Sequence, residues 1–200
     1  ECPTLLKNGY GEHNIQGIGD KHVPLIHNVM NTDFVVGISD QATNNLNLVF
    51  NTELGKKYLI SNKGFDSNFV DRLPEFGFSS IANILASIKL AKYMKLGSDD
   101  AIITVATDGA DLYLSELEKT KKEFKGIYDE TACAEIFGQY LKGISLDNIL
   151  ELNQREKERI FNLGYYTWVE QQGIDINEFE KRRNQTFWNE QYNYMLSLDN

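Results

Sequence analysis

Two hundred residues, 42% of them hydrophobic, suffice for one domain with a core, or for one domain and an appendage. A formal charge of −9 and a pI near 4.9 repel phosphate backbones, and the lysines alternate with acids, so nucleic acid is not an expected partner. No apolar run approaches the roughly 20 residues of a spanning helix and no signal peptide opens the chain, so a cytoplasmic protein without membrane contact is expected.

The chain opens Glu1-Cys2-Pro3 without an initiator methionine, and is expected to be a fragment. Cys2 and Cys133 lie far apart without metal-like spacing and read as reduced thiols. His13 to Pro24, HNIQGIGDKHVP, joins a short extended run to a loop turned by Gly17 and Gly19 and bearing Asp20, Lys21 and His22. Two glycines leave little side chain there, so the backbone can approach a ligand closely. The third glycine and the following helix of a dinucleotide fingerprint are missing.

Asp33 to Ser39 is a short β-branched strand, and Asp40 stands where an N-cap should, before Leu46, Val49, Phe50 and Leu54. Ile81, Ile84, Leu85, Ile88 and Ala91 share one helical face, begun by Ser79 or Ser80 and closed by Gly97. Ala101 to Ala106 is a continuous apolar strand, expected to be covered by helices on both faces, and it breaks at Thr107-Asp108-Gly109. Ser115 and Glu118 make an S-x-x-E capping box with Leu114 before the cap. From about Asp129 only helices are expected, starting at Asp129, Ser145 and Asp175. Tyr165, Tyr166, Trp168, Phe187, Trp188, Tyr192 and Tyr194 concentrate aromatic surface in that part.

In a parallel α/β sheet, ligands bind beyond the carboxyl ends of the strands, the expected place of Thr107, Asp108 and Gly109. Such groups can meet a ring nitrogen, a ribose or a metal, or simply satisfy turn and cap hydrogen bonds. His13, His22 and His27 lack the H-E-x-x-H spacing and a cysteine partner, so no metal is expected. Ser79-Ser80 reads as a simple cap, and the lysines from Lys119 to Lys125 as a solvated helix face.

Three segments together carry a family resemblance. HNIQGIGDKHVP resembles the H-K-I-Q-G-I-G-x-x-F-I-P loop of O-acetylserine sulfhydrylase, FGFSSIAN is similar to its G-I-S-S-G-A-N helix, and ATDGADLYLSE resembles its P-S-x-G-E-R-Y-L-S-T segment. All three occur in the family's order, over about residues 9–116. The chain thus resembles the fold-type II pyridoxal-phosphate enzymes of the cysteine synthase and cystathionine β-synthase group.

The resemblance implies an α/β fold, a Rossmann-like three-layer parallel sheet of the tryptophan synthase β-like type, here incomplete. Residues 1–120 would be the C-terminal half of the large domain, and residues 121–200 an all-helical extension packing on the core or at a subunit interface. It also implies pyridoxal 5'-phosphate as cofactor, lyase or transferase chemistry by β-elimination or β-replacement on a small amino acid, and a homodimer. Thr107 takes the position whose hydroxyl bonds the pyridine nitrogen. Asp108 is the alternative, because a one-residue insertion before Tyr113 shifts the alignment. Gly17, Ile18 and Gly19 would line the cofactor and substrate cleft, with Asp20 near a substrate-facing position. His22 would either shuttle a proton or bond the loop backbone.

The family's Schiff-base lysine and phosphate cradle lie in an N-terminal segment that this chain does not contain, and Lys21 is not expected to replace that lysine. The N-terminal part of the same enzyme is therefore an expected partner, and these residues alone are expected to be inactive. A non-catalytic α/β assembly module with a retained cleft is the competing reading.

Overall fold

A computed structural model describes residues 2–9, 11–15 and 18–198. Its elements are α1 (Thr4–Lys7), β1 (Phe34–Val36), α2 (Asp40–Asn51), α3 (Glu53–Lys63), α4 (Ser67–Asp71), α5 (Phe78–Met94), α6 (Leu114–Glu123), α7 (Glu130–Phe137), β2 (Ile149–Glu151), α8 (Gln154–Tyr165), α9 (Ile176–Glu180) and α10 (Gln185–Leu198). The described residues are thus mostly helical, with β1 and β2 paired in a two-stranded sheet. Leu152 N donates to Asp33 O and Gly37 N to Asn148 O, so the pair runs antiparallel. This content is compatible with an incomplete piece of an α/β protein. Among the described residues no helix is long and apolar enough to cross a membrane.

The chain divides into two compact units. The first holds residues 13–18 and 36–148. Its core is built on Leu46, Val49, Leu59, Val70, Phe78, Ile81, Leu85 and Cys133, each at most 2% exposed. The cap of α2 lies one residue before the place the sequence reading gives it: Ser39 Oγ accepts from Ala42 N, and Asp40 falls in the first turn, where Oδ2 accepts from Asn14 N. Thr52 then ends α2 and caps α3 by accepting from Gly55 N at 3.1 Å, so the chain turns a corner within one residue. Only a residue without a side chain fits the inside of that corner. A Cβ at Gly55 would lie 2.0 Å from Val49 O.

Gly77 is the cap position of α5, with Ser79 and Ser80 already inside the helix. On its far side Lys89, 5% exposed, donates through Nζ to Gly37 O and Asp147 O, and Lys92 Nζ donates to Ile144 O at 2.6 Å. These two lysines peg the backbone at both ends of the unit's main segment to α5, a role that no sequence signal marks.

The segment Ala101 to Ala106 departs from expectation. It is exposed along its length and belongs to no ladder among the described residues. The apolar, β-branched residues are those of a covered strand, but a strand forms only against a neighbour, and the described residues bring none to it. The S-x-x-E box is also not formed. A tight helical turn at Ala110–Tyr113 runs directly into α6, so Ser115 is helical before it can cap. Asp129 does cap α7, accepting from Ala132 N at 2.9 Å. Helix α7 continues into a wide turn, Gly138–Lys142, closed by Gly143 N donating to Gly138 O, and Tyr140 and Leu141 of that turn pack on the core.

Cys133 is fully buried, its thiol donates to Tyr128 Oη at 3.3 Å, and burial pushes its pKa up. A thiol held in its neutral form and out of solvent does not react. Titration with a chromogenic disulfide in the native state is expected to modify half-exposed Cys2 and to reach Cys133 only after denaturant is added. Equal reaction of both thiols without denaturant would contradict this packing.

The second unit holds residues 2–12, 19–35 and 149–200. Val23, Val29, Leu152, Ile160, Phe161 and Phe179 form its core. Ser145 starts no helix; the chain instead passes through Asn148, at φ 58°, into β2, a strand where only helices are expected. Asn153 caps α8, and Asp175 caps α9 by accepting from Asn177 N and Glu178 N, the latter start being one the sequence marks. Trp168 Nε1 donates to Val23 O at 2.7 Å, and Arg159 donates to Leu5 O at 2.8 Å, which fasten the N-terminal stretches of the unit to α8 and the turn after it.

Candidate functional site

Thr107 and Asp108 share one turn of the first unit. Thr107 is exposed, its N–H donates to Ser80 Oγ at 3.2 Å, and its Oγ1 donates to Asp108 Oδ1 at 2.8 Å. The other carboxylate oxygen of Asp108 accepts from the Tyr113 hydroxyl, and the Asp108 carbonyl accepts from Gly77 N at 2.8 Å. The turn is thereby locked to the start of α5. Gly77 is required there, because a Cβ would fall 2.8 Å from Asp108 O and 2.9 Å from the Tyr113 ring. The Tyr113 ring packs on Phe78 with centroids 4.7 Å apart.

The electrostatics follow from this geometry. The Tyr113 hydroxyl, and then that of Thr107, hold the Asp108 carboxyl below the usual carboxylate range, and the same carboxylate pushes Tyr113 up to about 12. Both Asp108 oxygens are occupied, while the Thr107 hydroxyl donates its hydrogen bond to Asp108 and keeps lone pairs on an exposed oxygen. This turn can accept a hydrogen bond from a ligand through Thr107. Since the folded carboxyl titrates below its unfolded value of 3.8, its contribution is present above that pH and is lost as pH falls through the lowered folded value. Tyr113→Phe is expected to return the Asp108 titration toward the ordinary carboxylate range, read by carboxyl carbon NMR; an unmoved midpoint would refute the contact.

The second group of candidates falls in the second unit. Gly19 is buried, and Asp20 is exposed with its carbonyl accepting from Thr4 Oγ1 at 2.7 Å and its Oδ1 from His22 N at 2.9 Å. His22 Nδ1 lies 3.6 Å from the same carboxylate oxygen. Asp20 and His22 therefore form a local side-chain turn in which the imidazole and the carboxylate are neighbours at ion-pair rather than hydrogen-bond distance. Ile18 belongs to the first unit and is 44% exposed; Gly17 lies outside the described residues. Lys21 is exposed. His27 Nε2 is bonded to Thr32 Oγ1 at 2.9 Å, and burial lowers its pKa. Among the described residues no three His, Cys, Asp or Glu converge as a metal site.

Tyr113 and Gly77 are the members that sequence reasoning misses. The available signal is weak: Tyr113 stands five residues after Asp108, and only the tight turn at Ala110–Tyr113 folds its hydroxyl back. A separate open cleft of about 350 Å³ in the first unit is lined by Gln41, Asn45, Glu123, Phe124, Glu135 and Tyr140 among others, none of them marked by the sequence.

Comparison with known proteins bears on this arrangement at one point. Over 113 residues the chain is 34% identical to cysteine synthase B of Campylobacter jejuni subsp. jejuni serotype O:2. The chain is similar to a cysteine synthase. The match covers 56% of this chain and 30% of the cysteine synthase, so the chain spans less than a third of that relative's length. No family model matches the chain, and no solved structure matches it.

Proposed function

We propose that these residues are part of a cysteine synthase-like, pyridoxal-phosphate-dependent lyase or transferase that carries out β-elimination or β-replacement on a small amino acid. The similarity to cysteine synthase B carries this reading. The Thr107 turn fits one end of the cofactor: an exposed hydroxyl oxygen whose proton is committed elsewhere suits a ring N–H, and Asp108, with both oxygens occupied, is left to orient Thr107. When bound, the cofactor supplies an electron sink for a carbanion at the substrate's Cα. Thr107 would bind the ring nitrogen, Asp108 and Tyr113 would hold the hydroxyl in place, and Gly77 would keep the turn seated on α5. The lysine and the phosphate contacts would come from polypeptide outside these 200 residues, with the whole acting as a cytoplasmic homodimer.

The test is pyridoxal phosphate added to the product of the complete reading frame. Visible absorbance is expected, with borohydride fixing the cofactor on a lysine outside residues 1–200. Fixation on Lys21, or none, would overturn the reading.

A further inference from the structure

The open cleft of the first unit, between α2, α6 and α7, is lined by polar groups that have no partner. Its volume of about 350 Å³ falls at the small end of the range for small-molecule sites, roughly 300–1,000 Å³. Asn45 of α2 lies deepest in the lining. It is only 9% exposed, and among the described residues its side-chain amide makes no hydrogen bond. A buried amide is normally partnered, because taking it out of water without a replacement costs free energy. Since Asn45 lines the cleft, a molecule seated there is the partner its position allows. Glu123, the last residue of α6, and Glu135 of α7 stand exposed around it, and among the described residues neither has an ion pair or hydrogen bond.

Exposed carboxylates alone are ordinary on a chain of charge −9. Here two of them, from different helices, share a cleft with a buried amide, and the C-terminal end of α6 adds the negative pole of a helix dipole. Among the described residues no Lys, Arg or His lines the cleft; Lys121, Lys122 and Lys125, close to Glu123 in sequence, lie outside the lining. A phosphate, or the carboxylate of a free amino acid, would therefore meet like charge with nothing to neutralise it. A metal ion is no better served, since among the described residues no three His, Cys, Asp or Glu converge. Buried Ile136 and the half-buried rings of Phe124 and Tyr140 give the remaining lining an apolar surface, suited to methylene groups, and aromatic rings also attract ammonium groups.

We propose that this cleft binds a small aliphatic di- or polyamine. One ammonium group donates to the Asn45 side-chain oxygen, Glu123 and Glu135 hold the remaining positive charge at the mouth, and the methylene stem lies against Ile136 and Phe124. The site shares no residue with the Thr107 turn and does not rest on the function proposed above.

Calorimetric titration of putrescine into the product of the complete reading frame tests this. Saturable binding at one site per chain is expected, with 1,4-butanediol, its neutral counterpart, at least tenfold weaker. Glu123→Gln and Glu135→Gln are each expected to weaken binding about three- to fivefold, and Asn45→Leu about tenfold. Glu190→Gln removes the same charge at an exposed carboxylate outside the lining and should change affinity less than twofold. Glu123 and Glu135 are exposed, so their variants keep the test valid even where Asn45→Leu disturbs the fold. Three results would overturn the proposal: no saturable binding, butanediol binding as tightly as putrescine, or a loss in Glu190→Gln equal to that in the two cleft variants, which would assign the binding to the overall charge of the chain.

Discussion

Gly55→Ala is expected to destabilise the first unit by at least about 3 kcal/mol, a large part of the 5–15 kcal/mol that holds a typical domain. The added methyl would meet Val49 O at 2.0 Å and Val49 C at 2.6 Å, backbone atoms of the preceding helix that no rotamer change can move. Relief requires α2 and α3 to separate at the Thr52 corner, which would break the cap on Gly55 N and unseat Leu59 and Tyr58 from the core. Gly64→Ala is the matched control. That glycine closes the other end of α3 at φ 72° with nothing within 4 Å of a Cβ, so only backbone strain opposes the methyl, about 1 kcal/mol. Urea denaturation of both variants separates the two costs. A Gly55→Ala midpoint no lower than that of Gly64→Ala would refute the corner geometry.

Lys89→Met is expected to cost about 3 kcal/mol at neutral pH. The methionine keeps most of the apolar stem but leaves Gly37 O and Asp147 O without their donor. The pH dependence has a definite sign. Burial lowers the Lys89 pKa from 10.5, so between the lowered folded value and 10.5 the unfolded chain binds the proton that the folded chain has released. Stability contributed by Lys89 therefore rises with pH through that window, and the difference between wild type and Lys89→Met should widen as pH approaches 10.5. Urea midpoints at several pH values check it. A difference that narrows would mean that the carbonyls and Asp147 hold the ammonium charged more strongly than burial discharges it.

Local chemistry was legible in the sequence, and long-range pairing was not. Asp129 and Asp175 cap their helices because each offers a carboxylate to amides two or three residues ahead, a contact spacing alone specifies. The Ser115–Glu118 box has the same spacing and fails, because the tight turn at Ala110–Tyr113 has already committed Leu114 to the helix. Strand β2 escapes notice since three residues after a left-handed asparagine have too short a period to register. At the candidate site, Thr107 and Asp108 are visible as polar residues ending an apolar run. Their lock on Tyr113 and Gly77 is invisible, because it depends on how two turns meet. The extended segment before them shows the limit most plainly: its composition states that it should be covered, and composition cannot name the cover.

The wide turn after α7 has a consequence for tolerance to change. Gly138–Lys142 spends one residue more than an ordinary helical turn to climb the same height, and it leaves no gap in the hydrogen-bonding, since Gly143 N closes on Gly138 O at 2.7 Å. Removing a single residue there would restore ordinary winding and leave the side chains beyond Gly143 in their present register, whereas the same deletion in an ordinary stretch of helix would swing every later side chain by about 100°. Only the packing of Tyr140 and Leu141 within the turn would have to readjust, so a one-codon deletion at this place should be better tolerated than one in the middle of α2 or α5.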